Sequence, residues 1–182
     1  MRGTIMKDEM GKYFDQLIEA WSGFNNSFPK VPWNDAIIPT IYEGEVDQNE
    51  YICWKPVEKN VIHDFRDIEQ VLGIIFHESI KDYFNTYWFA ELVGFYKSYN
   101  IILEPVLPGI ELNNFVVQLI GYKEVHEDKL DNIPLGVEGG SSFLVVIDNN
   151  TGIVKLEDFE TGKYEVISDS IERLISDIQL KN

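Results

Sequence analysis

Arginine is nearly absent from this chain: three residues stand against twelve lysines, and bases of both kinds are outnumbered by acids, 15 to 31. Recognition of nucleic acid or phosphate rests on the guanidinium fork and a positive field. A formal charge of −16 over 182 residues argues against that class. Cysteine is reduced to Cys53, so no intramolecular disulfide forms and a reducing compartment is expected. No apolar run approaches the ~18 residues of a membrane span. The opening segment, MRGTIMKDEMGKYFDQ, lacks the apolar stretch of a secretory signal. The expected location is the cytoplasm, with any membrane contact made through a protein partner at the cytoplasmic face.

Catalytic and metal motifs are also missing. His63, His77 and His126 stand in no HExxH or HxH spacing, and Cys53 has no second cysteine with which to hold zinc. There is no GxSxG elbow and no GxxxxGK[ST] loop. The stretch Gly136 to Ser142 is rich in glycine but lacks a lysine and precedes a strand, where a phosphate loop precedes a helix. It reads as a flexible connection. Cys53 lies in an apolar strand and reads as a small buried side chain, not a nucleophile. A hydrolase built on His63, His77 and nearby acids is the weaker alternative; the expectation is no catalytic residue, no metal and no cofactor.

What is present is negative charge, spread through segments that read as folded. Such a surface repels nucleic acid, anionic lipid and phosphorylated substrates, and it attracts basic protein surfaces from a distance. The plain alternative is that the charge only keeps the chain soluble. The candidate partner-contact residues are Glu43, Glu45, Asp47, Glu69, Glu78, Asp82, Glu157, Asp158 and Glu160. Tyr83, Phe84, Tyr87, Trp88 and Phe89 fall in one segment, which reads either as an exposed patch of hot-spot residue types or, preferably, as a core helix junction.

Hydrophobic periodicity places the elements. Tyr13, Phe14, Leu17, Ile18, Trp21 and Phe24 form one face of a helix over residues 8–24. Three prolines make residues 25–39 irregular. Strands are expected over 37–42 and 51–54, joined by the acidic loop 43–50. Two helices follow, from His63 to Ile75 and from Glu78 to Phe89, with a joint near Gly73 and His77. A strand over 100–107 leads through Pro108-Gly109 into a helix over 110–128. Strands over 143–147, 153–159 and 164–167 are separated by the turns Asp148 to Gly152 and Thr161-Gly162. A closing helix, capped by Ser168, Asp169 or Ser170, buries Ile171, Leu174, Ile175 and Ile178. The class is α+β, a mainly antiparallel sheet flanked by helices, and residues 1–182 read as a single domain.

Several stretches in this order resemble the Syd family of SecY-interacting proteins, in the SUKH superfamily. Tyr13-Phe14-Asp15 through Glu19-Ala20-Trp21 resembles its opening helix, and Tyr51 to Pro56 its tyrosine/tryptophan-proline strand. Asp64 to Glu69 and Ile80 to Ala90 are similar to its central helices, and Asn114-Phe115 through Gly121 to the helix before its last strands. Val146 to Val154, Glu157 and the helix from Ser170 to Ile178 are similar to its ending. The resemblance implies a SUKH-type α+β fold and a non-catalytic, acidic, protein-binding role on basic cytoplasmic loops of the SecY translocon. Through the wider superfamily it also implies an alternative: an immunity protein that neutralises a basic toxin such as a nuclease.

Overall fold

A computed structural model describes residues 2–180. Helix α1 (Arg2–Asn25) leads into a small sheet of β1 (Lys30–Pro32), β2 (Tyr42–Glu43) and β3 (Tyr51–Trp54), ordered β1-β3-β2. Strand β4 (Val57–Glu58) pairs with β5 (Tyr87–Trp88) across the helices α2 (Arg66–Leu72) and α3 (Glu78–Thr86). The main sheet is an antiparallel meander of six strands: β6 (Leu92–Tyr96), β7 (Tyr99–Leu103), β8 (Asn132–Glu138), β9 (Phe143–Asp148), β10 (Val154–Asp158) and β11 (Lys163–Ser168). Helix α4 (Glu111–Val125) interrupts the meander between β7 and β8, and α5 (Ile171–Asp177) follows it. The α+β class read from the sequence is the observed one.

One face of the meander carries Ile101, Leu103, Ile133, Leu135, Val145, Ile147, Val154 and Leu156, all essentially buried, and packs into the main core. Into this core α1 sends Met6, Met10, Tyr13 and Phe14, while α5 sends Ile171, Leu174 and Ile175. The helical spacing thus marks the right face of α1, but its buried part lies toward the N-terminus of that face. The side chain of Phe24 lies outside what is described. Phe84 contacts Phe115 at a ring distance of 4.4 Å and Phe76 contacts Phe115 at 5.5 Å, which ties α3 and its entry to α4. Tyr83, Phe84 and Phe89 are fully buried; the aromatic segment is a core junction.

The joint between α2 and α3 is a full break. Gly73 caps α2 in the left-handed region at φ 72° and donates its N–H to the Glu69 carbonyl. His77 caps α3, its ring nitrogen accepting from the Ser79 N–H. Asn149, in the turn after β9, accepts from the His77 N–H at 2.9 Å and donates to the Ile75 carbonyl at 2.9 Å. The turn between β9 and β10 is therefore fastened to the helix joint.

Several expectations are corrected. The glycine-rich stretch is in part strand: Gly136 lies in β8, where its missing Cβ lets the Ile102 carbonyl approach to 2.3 Å from where a Cβ would sit. Strand β6 is an element that periodicity does not reveal, because Gly94 interrupts its alternation. The strand expected over 37–42 shrinks to Tyr42–Glu43, since Pro39 denies it a ladder donor. Ser170 caps α5, accepting from the Arg173 N–H.

Candidate partner-binding surface

The carboxylates named from the sequence fall into three groups. Glu43, Glu45 and Asp47 lie on β2 and the loop before β3. Glu43 is ion-paired with Lys55. Asp47 meets the Lys30 ammonium at 2.7 Å, and that ammonium with the N–H groups of Tyr51 and Asn49 holds its carboxyl at about 2. Glu45 is exposed. The second group, Glu69, Glu78 and Asp82, belongs to α2 and α3, where Lys81 bridges Glu69 and Glu78 at 3.1 Å each. The third group sits at the turn after β10. Asp158 accepts from the Thr161 hydroxyl at 2.6 Å, and Glu160 is exposed.

Glu157 does not belong to the surface at all. Its side chain is buried, accepting from the Tyr122 hydroxyl at 2.7 Å, the Tyr164 hydroxyl at 3.1 Å and the His126 ring. The Tyr122 and His126 rings stack at 3.7 Å over it. Burial, with the adjacent Glu157 carboxylate, pushes the Tyr122 hydroxyl far above its ordinary range. A buried acid with three donors organises the sheet face beneath α4 and has no area to offer a partner.

Sequence reasoning missed a second buried acid. Glu111 opens α4 and its Oε1 receives Lys59 Nζ at 3.0 Å, Trp88 Nε1 at 2.8 Å and His63 Nε2 at 2.8 Å. Lys59 is itself fully buried, donates to the Phe84 carbonyl and lies 5.0 Å from the Trp88 ring centre. Burial pushes the Glu111 carboxyl up, but the bonds from Trp88, its own N–H, His63 and Lys59 outweigh that and hold it at about 2. His63 is thereby committed to structure, as is His126 at Glu157. Among the described residues no group of three or more His, Cys, Asp or Glu is placed to hold a metal ion, and no helix is long and apolar enough to cross a membrane.

Among the described residues, ten bases sit in ion pairs with this chain's own carboxylates, among them Lys7, Lys12, Lys30, Lys55, Lys81 and Lys129. The bases are largely neutralised where they stand, and the uncompensated charge on the surface is acidic.

The family model described as Syd protein (SUKH-2) matches residues 7–179, nearly the whole chain. The chain belongs to the Syd family. It is 28% identical over 151 residues to Protein Syd of Idiomarina loihiensis, covering 81% of this chain and 79% of that one. To Protein Syd of Psychromonas ingrahamii it is 23% identical over 161 residues, covering 87% of each. A third Protein Syd, from Pseudoalteromonas atlantica, is 21% identical over 130 residues, 70% of each chain. In this Syd family chain the match runs from α1, past the Glu111 and Glu157 clusters, to the residues that follow α5.

Proposed function

We propose that this chain is a non-catalytic protein-binding module that docks on basic cytoplasmic loops of the SecY translocon, peripherally at the cytoplasmic face of the membrane. The observation that carries the reading is the uncompensated acidic surface: among the described residues ten bases are paired internally, while exposed carboxylates such as Glu45 and Glu160 are left to face outward. Membership of the Syd family supports a protein as the ligand. A field of this sign accelerates encounter with a basic loop and makes association sensitive to salt.

The test is retention of SecY-bearing membrane vesicles on the immobilised chain. Retention is expected in dilute buffer and release at about 0.5 M salt, where the Debye length shrinks to ~4 Å. Reversing Glu45, Glu78 and Glu160 together to lysine is expected to weaken retention at least tenfold. Because surface charges contribute little to stability, the melting temperature should move by no more than about 5 °C. Retention equal to wild type would overturn the acidic docking surface. Selective capture of a basic toxin in place of SecY would assign the same surface to neutralisation.

A further inference from the structure

Strand pairing brings four residues into one row across the sheet: Ile102 opposite Val137, Val137 opposite Leu144, and Leu144 opposite Glu157. Directly paired residues share a face, here the one turned away from the main core. Glu157, covered by Tyr122 and His126, closes the row at one end. Ile102, Val137 and Leu144 form the floor of an apolar groove of about 400 Å³, whose opposite wall is α4 through Gln118, Gly121 and Val125. Val125, Val137 and Phe159 at its margins are 58%, 41% and 49% exposed. That is a concentration of exposed apolar surface on an otherwise acidic molecule.

Two features of the groove bear on what it could hold. Gly121 stands in the interior of the fifteen-residue helix α4, where glycine is the poorest choice after proline. Neither close packing nor backbone conformation accounts for it, because a Cβ there would meet nothing within 4 Å and its φ is not left-handed. The absent side chain leaves room over the apolar floor. Glu104, at the end of β7, lines the same groove half-buried; burial pushes its carboxyl up, opposed by a hydrogen bond from Gln118. No lysine, arginine or histidine among the described residues is ion-paired with it. A carboxylate held against an apolar wall, with no cation paired to it among the described residues, is complementary to a cation carried next to an apolar group.

We propose that this groove takes a short segment of the basic partner, seating one apolar side chain over Gly121 and setting an adjacent lysine or arginine on Glu104. The inference rests on the protein-docking reading above and adds a specificity that bulk charge lacks: a basic segment without an apolar anchor fills no groove. A second copy of this chain is a poor occupant, since two surfaces of the same strong charge repel.

Two synthetic probes of equal charge test it, a lysine–leucine peptide and a lysine–glycine peptide. The wild-type chain is expected to bind the leucine-bearing peptide at least tenfold more tightly. Backbone amide shifts on binding should concentrate at Gly121, Val137 and Leu144. Gly121→Leu fills the groove and should abolish that preference while leaving the weak, salt-sensitive binding of the lysine–glycine peptide. Glu104→Gln keeps the shape and removes the charge, and should weaken the leucine-bearing peptide at least fivefold; it serves equally if Gly121→Leu fails to fold. Equal affinity for both peptides, shifts located elsewhere, or undiminished preference in the variants would overturn the proposal. So would self-association of the wild-type chain that Gly121→Leu dissolves. Loss of SecY retention in the triple reversal with intact peptide preference leaves both proposals standing. A wild-type chain that never retains SecY sinks the docking reading, and the peptide preference is then judged on its own.

Discussion

Glu111 draws three donors that are remote in the chain, Lys59, His63 and Trp88, onto one carboxylate oxygen. Because the Lys59 ammonium is fully buried, Glu111→Gln would leave a cation in the interior with no counter-charge. Breaking a buried pair from one side costs about 3–5 kcal/mol, and urea denaturation at neutral pH should show a loss of that order. The pH dependence has a definite sign. Glu111 has a folded value of about 2 against an ordinary 4.5, so its ionised form stabilises the native state fully above the ordinary value. That contribution disappears as pH falls from about 4.5 through about 2. The gap between wild type and Glu111→Gln should therefore hold steady down to about pH 5 and narrow steadily toward pH 2. A gap that does not narrow would show that the carboxylate charge is not what stabilises the cluster. Nothing local in the sequence separates Glu111 or Glu157 from the other acids. Their side-chain donors lie between 7 and 52 residues away, and burial of a charge is legible only when its partners are in place.

At the scale of elements, the terminal strand β6 is held from two sides. The Tyr13 hydroxyl of α1 accepts from the Val93 N–H at 2.9 Å and lies 3.0 Å from the Val93 carbonyl. Beyond α5, Gln179 exchanges two 2.8 Å backbone hydrogen bonds with Phe95. An unpaired strand edge invites pairing with other chains, and at Phe95 this one is covered by the segment that follows α5. The close approach depends on Gly94: a Cβ there would fall 2.4 Å from the Gln179 carbonyl oxygen and 2.6 Å from Ile178 Cγ2. Gly94→Ala should push the segment off, costing about 2–3 kcal/mol and exposing the Phe95 amide to rapid hydrogen exchange. Protection of that amide at the wild-type level would refute the clamp. The same glycine explains a limit of sequence reading. Strands over 51–54, 143–147 and 153–159 announce themselves through apolar runs bounded by turn residues, and the structure places strands there. Strands β6 and β8 contain glycines at positions set by a neighbouring backbone, at Gly94 by Gln179 and at Gly136 by Ile102, so their pattern makes sense only with the fold in view. Of the acidic surface, the sequence revealed the sign and the amount. It could not tell that Glu157 is interior, or that Lys81 already serves Glu69 and Glu78.

For the whole molecule, a charge of −16 in 182 residues is a burden as well as a means of attraction. Compaction brings like charges together, and the resulting self-repulsion opposes folding. Internal ion pairs offset part of it; Lys30 with Asp47 and Lys155 with Asp148, both at 2.7 Å, pull carboxyls down to about 2. These exposed or half-exposed pairs weaken with salt, whereas the longer-range repulsion among unpaired carboxylates weakens more, because it acts over distances comparable with the ~10 Å Debye length at 0.1 M. The balance decides the sign of the response. With twice as many acids as bases, repulsion dominates, so sodium chloride should raise the melting temperature, by several degrees between about 0.02 and 0.5 M. The same titration should release a basic partner. Stability rising while affinity falls, over one salt range, is the signature of a surface whose charge is kept for binding at the expense of folding. A melting temperature that instead fell with salt would mean that the internal ion pairs outweigh the repulsion, and the field available to a partner would be correspondingly weak.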